Sequence, residues 1–127
     1  LIWIVEDDPK LGEALRDDIA AAAGREEVLA SPMSIWEIAM LVAKRRIKLS
    51  LRLQDWTNVI FEHERVGVAS LTPEVAIECW RLPGGMNDDP VDRILVATAR
   101  ILDATLMTRD RDILRYGAQG HVKVLAA

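Results

Sequence analysis

The chain predicts an α/β fold in which a mainly parallel sheet carries helices on both faces. Short apolar runs, at 28–30, 66–71, 104–108 and 121–125, alternate with longer stretches of helical periodicity. Pro and Gly punctuate the boundaries, as at Pro9, Ser31-Pro32, Thr72-Pro73 and the stretch 83–90. Half of the 127 residues are hydrophobic and 28% are charged, enough apolar material for the core of one domain spanning 1–127.

The elements follow in order. Residues 1–5 read as the end of a strand or the start of a helix, and Glu6-Asp7-Asp8-Pro9 as a turn. Pro9 suits the first turn of a helix reaching about Ala23, with Leu11, Ala14, Leu15 and Ile19 inward and Gly24 as a stop. Ser31-Pro32 breaks the strand 28–30. Ser34 then caps a helix to about Lys44, and Glu37, three residues on, matches a capping box. A helix over 53–64 turns Trp56, Val59, Ile60 and His63 to one side. Thr72 and Pro73 suit the N-cap and first position of a helix reaching Leu82. The loop 83–90 precedes a helix over 91–102. The strand 104–108, a short helix 111–116, a turn 117–120 and the strand 121–125 complete the chain.

Net charge is −4, which speaks against a dedicated nucleic-acid-binding arm but not against a nuclease, since metal-binding carboxylates add negative charge. Cys79 is the single cysteine, so an internal disulfide is impossible; that suits a reducing cytoplasm. No run of eighteen apolar residues is present, so no membrane-spanning helix is expected. The start lacks the basic flank of a signal peptide.

Three acids stand at informative places. Asp92 begins the helix after the Pro/Gly loop, Asp110 follows the strand 104–108, and Glu37 lies in the first turns after the strand 28–30. Ligands of open α/β sheets bind beyond the carboxyl ends of the strands. Carboxylates converging there repel unless a cation or shared protons intervene, and Mg²⁺ or Mn²⁺ takes such oxygen ligands. The blander reading keeps Glu37 in a capping box and Asp92 as a favourable charge at a helix N-terminus.

The segments Ser34-Ile35-Trp36-Glu37-Ile38-Ala39, then 89–99 beginning Asp89-Pro90-Val91-Asp92, then Met107-Thr108-Arg109-Asp110, resemble successive motifs of PIN-domain proteins, most of all the VapC-type toxins of toxin–antitoxin modules. Leu1-Ile2-Trp3 with Asp7-Asp8-Pro9-Lys10-Leu11-Gly12 is similar to the family's segment after its first strand. The resemblance implies a three-layer α/β/α fold and an endoribonuclease that uses Mg²⁺ or Mn²⁺ to activate water against an RNA phosphodiester. It implies that Glu37, Asp92 and Asp110 are three of four catalytic, metal-holding acids. It implies an RNA substrate such as tRNA or rRNA, a cognate antitoxin, a homodimer and a cytoplasmic setting. The family's first acid lies a few residues upstream of the segment that matches Leu1, so the chain is expected to be truncated within its first strand and, as it stands, to bind metal weakly and cleave little.

Around these acids, Ser34, Asp89, Thr108 and Asp112 are candidates to orient a ligand or its water. Capping or surface roles compete for each, and a loop or cap role is favoured for Asp89. Arg93, Arg109 and Arg111 are candidate RNA contacts, with solvated ion pairing as the alternative. The basic run Lys44-Arg45-Arg46-Ile47-Lys48 reads first as a solvated helix end and second as a contact for RNA or an acidic partner. His63 and His121 share no zinc-ligand spacing, and the four Trp residues read as core or interface. Two other readings remain at this point: an inactive PIN-like module that binds RNA or protein, and an unrelated α/β domain whose acids are surface.

Overall fold

The structure, a computed structural model, describes residues 9–127. The strand or helix expected over 1–5, the turn after it and the His63 side chain lie outside the described residues. The chain divides into two compact units, one ending at Ala69 and one running from Ser70 to Ala127.

In the first unit the helix expected from Pro9 is interrupted. A 3-10 turn, Pro9–Leu11, stops at Gly12, whose φ of 75° is outside the helical region, and α1 (Glu13–Gly24) starts afresh. Leu11, Ile19 and Ala23 are buried, while Ala14 is exposed. The strand β1 (Leu29–Ala30) pairs in parallel with β2 (Gly67–Val68), in the register Leu29 to Gly67 and Ala30 to Val68. A Cβ on Gly67 would stand 2.9 Å from Leu29 Cδ2, the tip of an exposed side chain free to move aside.

Helix α2 (Pro32–Ala43) corrects the expected start. Ser31, not Ser34, is the N-cap, its Oγ accepting from the Met33 amide at 3.1 Å, and Pro32 occupies the first helical position. Ser34 is already inside the helix, its amide donating to the Ser31 carbonyl at 3.0 Å. The capping box between Ser34 and Glu37 is therefore not formed. The segment expected as one helix over 53–64 is α3 (Leu53–Asn58) followed by a π-helical turn, Val59–His63. Trp56 and Ile60, at 0% and 1% exposure, centre a core with Ala30, Ile38 and Val66.

In the second unit α4 (Pro73–Glu78) is capped by Thr72, whose Oγ1 accepts from Val75 N at 3.2 Å, and stops short of the expected Leu82. Helix α5 (Pro90–Ile101) is central. Its Ala97 packs with Val75 and Cys79, and its Val96 and Ala99 with Met86, Ile113, Tyr116 and Val122. The strand β3 (Leu106–Thr108) pairs in parallel with β4 (Val124–Ala126), across α6 (Arg111–Ala118). Helix α6 runs two residues beyond the expected end and includes Gly117, which had read as a turn. A Cβ there would come within 2.4 Å of Val124 Cγ2, so the glycine permits the helix to lie on the strand.

Both pairings are parallel, as expected. Among the described residues they form two separate two-stranded sheets, and the strands are shorter than the apolar runs suggested.

Candidate functional site

In the first unit Glu37 is the candidate. It is the sixth residue of α2, a turn and a half from the Ser31 cap, and is exposed beside Trp36, itself 54% exposed. Its backbone position is fixed by Ile38, which anchors the helix in the Trp56 core.

In the second unit two helix N-termini carry the acids. Asp89 is the N-cap of α5, its Oδ1 accepting from Val91 N at 2.9 Å and Asp92 N at 3.2 Å, which agrees with the cap role favoured from sequence. Asp92, the third helical residue, is half-buried, and its Oδ2 accepts from Asn87 Nδ2 at 3.1 Å. Asn87 Oδ1 in turn accepts from the Asp89 amide at 2.9 Å. One loop side chain thus holds both the cap and the carboxylate. The sequence drew no attention to Asn87; its only signal was a place in the Pro/Gly loop five residues before Asp92.

The loop that carries Asn87 is itself tied down. Arg93 turns inward, its side chain 12% exposed. Nη1 donates to the Cys79 carbonyl at 2.9 Å and Nη2 to the Met86 carbonyl at 3.1 Å. Its guanidinium lies 4.7 Å from the Trp80 ring centroid. Arg93 therefore braces the loop; sequence had offered a phosphate contact or solvated ion pairing for it. The Tyr116 hydroxyl donates to the Pro83 carbonyl, and Arg100 donates to the His121 carbonyl and pairs with Glu78 at 3.2 Å. Burial pushes the Tyr116 phenol above its ordinary range, against the opposing pull of Arg100 and Arg93.

Asp110 has a capping role that its position after a strand did not reveal. It is the N-cap of α6, Oδ1 accepting from Asp112 N at 2.9 Å and Ile113 N at 3.0 Å. Thr108 Oγ1 accepts from the Asp110 amide at 3.0 Å, fixing the turn between strand and helix. Asp112 points to Arg115, at 3.1 Å. Arg109 and Arg111 are exposed, and Arg109 Nε donates to the Ala127 carbonyl at 2.8 Å.

Among the described residues no group of three or more His, Cys, Asp or Glu side chains is placed to hold a metal ion. The three acids divide between the units, Glu37 in the first and Asp92 with Asp110 in the second. Their donor chemistry suits a hard divalent cation, since each offers carboxylate oxygen. Asn87 is placed to orient one of them.

A family profile described as PIN domain matches residues 1–119. The chain belongs to the PIN domain family, whose fold is the three-layer α/β/α arrangement predicted from sequence. It is similar to Ribonuclease VapC22 of Mycobacterium tuberculosis strain H37Rv, with 34% identity over 86 residues, covering 68% of this chain and 65% of that protein. The chain thus spans about 65% of the length of the curated relative it matches. No solved structure matches it.

Proposed function

We propose that the chain is a metal-dependent endoribonuclease domain, the toxin component of a toxin–antitoxin pair. The observation that carries this is membership of the PIN family together with the 34% identity to a protein named as a VapC ribonuclease. The two units would form one domain, with RNA as substrate, tRNA or rRNA being the first to test, a cognate antitoxin as inhibitor and a second copy as partner. Among the described residues no helix is long and apolar enough to cross a membrane, and a cytoplasmic setting fits an RNA substrate.

Glu37, Asp92 and Asp110 would hold Mg²⁺ or Mn²⁺ in this reading. The bound ion would lower the pKa of its water and offset charge on the attacked phosphate. The chain's own residues supply orientation. Asn87 aims Asp92 by its amide, and Asp89 holds the helix start. Thr108 fixes the turn at Asp110, and the capping bonds of Asp110 limit its side chain to one rotamer family. Asp112 and Ser34 are the further candidates for water contact, and Arg109 and Arg111 for RNA phosphate.

The test incubates total RNA with this chain, and with a form extended upstream of Leu1, in Mn²⁺ or in chelator. Cleavage that needs Mn²⁺ supports the enzyme. RNA binding without cleavage by either form favours a PIN-like binding module.

A further inference from the structure

We infer that the cationic segment at 44–52 is a docking strip for an RNA phosphate backbone, an inference that rests on the ribonuclease reading for the nature of the polyanion. In a chain of net charge −4, no Asp or Glu occurs from residue 38 to residue 54, and five cations do: Lys44, Arg45, Arg46, Lys48 and Arg52.

The fold presents them rigidly. At the end of α2 the amides of Lys44, Arg45 and Arg46 donate back to the carbonyls of Met40, Val42 and Leu41 at 2.9, 3.0 and 2.9 Å, and Arg45 takes a φ of 55° that turns the chain sharply. Beyond this turn the sequence alternates. Ile47, Leu49 and Leu53 pack onto the Trp56 core, while Arg46, Lys48 and Arg52 remain exposed. Arg45, Arg46, Lys48 and Arg52 line an open depression. Among the described residues Arg45, Arg46 and Lys48 form no ion pair, and Arg52 shares its charge with Asp55 at 2.8 Å.

A helix dipole accounts for Lys44 and Arg45 but not for Lys48 and Arg52, because that field fades beyond the last turn. The depression also has apolar edges: Leu51 is 44% exposed, and Val42, Ile47, Leu49 and Leu53 are half-buried against the Trp56 core. Five cations with no acid between residues 38 and 54 outweigh them, so charge selects the occupant. Exposed cations on an inward-anchored strip suit a polyanion read through its phosphates. Lys44, where the strip begins, follows Glu37 by two helical turns, about 10 Å along α2 on nearly the same face.

The test measures anisotropy of fluorescein-labelled tRNA with the chain in chelator, so that binding is read without cleavage. The triple variant Arg45→Gln, Arg46→Gln, Lys48→Gln is compared with a triple of equal charge change, Arg25→Gln, Arg81→Gln, Lys123→Gln. The strip triple is expected to weaken binding about tenfold and to lower the salt slope by about 2, from about 0.7 per phosphate contact. The other triple is expected to change affinity less than about twofold. Equal losses in both triples, or none in the strip triple, overturn the inference. Should the strip triple melt early, single Lys48→Gln, outside any helix, decides by the same readout. Polyglutamate that displaces tRNA at equal charge concentration assigns the strip to an acidic protein and overturns the RNA assignment. Strip-dependent binding without Mn²⁺-dependent cleavage removes the nuclease reading and leaves the strip; cleavage with strip-independent binding does the reverse.

Discussion

The side-chain amide of Asn87 donates to Asp92 Oδ2 at 3.1 Å, so a loop residue aims the carboxylate of the helix that follows it. Arg93 and Tyr116 hold that loop at the backbone carbonyls of Met86 and Pro83, and Arg93 also ties it to the Cys79 carbonyl at the end of α4. The position of Asp92 therefore depends on residues that touch neither metal nor RNA in the proposed reaction.

Asn87→Ala is expected to lower Mn²⁺-dependent RNA cleavage by about 10–100-fold, the usual cost of losing a partner that orients a metal ligand. The thermal melt should move little by comparison, because the residue is only half-buried. Equal rates for variant and wild type would show that Asp92 needs no such aim.

The cap role of Asp110 and its proposed metal role separate by chemistry. Asp110→Asn keeps a side-chain oxygen for the amides of Asp112 and Ile113 and should leave stability nearly unchanged while abolishing cleavage. Asp110→Ala should also cost about 1 kcal/mol of stability, read by urea denaturation. An active Asp110→Asn variant would reduce the residue to a cap.

Gly117→Ala should destabilise the chain by about 1–3 kcal/mol, since the new Cβ would stand 2.4 Å from Val124 Cγ2. Pairing it with Val124→Ala should recover part of that loss. Melting temperatures of the single and double variants check the pair.

Tyr116 gives the alkaline limb of stability a defined sign. Burial raises its folded-state pKa above the unfolded value near 10, so the folded chain holds that proton more tightly. Its contribution is fully present below the unfolded value and is lost as pH rises through the folded one. Stability measured from pH 8 upward should fall once pH passes about 10, and Tyr116→Phe should flatten that fall. The variant should also cost about 1 kcal/mol at neutral pH through the lost bond to Pro83.

The alternation of apolar runs and periodic segments was enough to read the parallel pairing, and Thr72-Pro73 enough to read a helix start. Two serines three residues apart misled at α2: Ser34 and Glu37 fit a capping box by spacing, but Pro32 in the first helical position decides for Ser31. Strand lengths were overread because an apolar run records burial and not pairing, as at 66–71, where only Gly67–Val68 pair. The acids were legible as residues at helix starts and strand ends. The inward turn of Arg93 and the bond from Asn87 were not, since both depend on how the loop 83–89 folds back, which no local pattern encodes.

In the proposed function Glu37, Asp92 and Asp110 serve one divalent cation. Its most direct test titrates Mn²⁺, by calorimetry, into the chain and into Glu37→Gln, Asp92→Asn and Asp110→Asn, with Asp89→Asn and the exposed Asp103→Asn alongside. Each of the first three is expected to weaken Mn²⁺ binding by about tenfold or more, and the last two to leave it nearly unchanged. Wild-type affinity in the first three would contradict it.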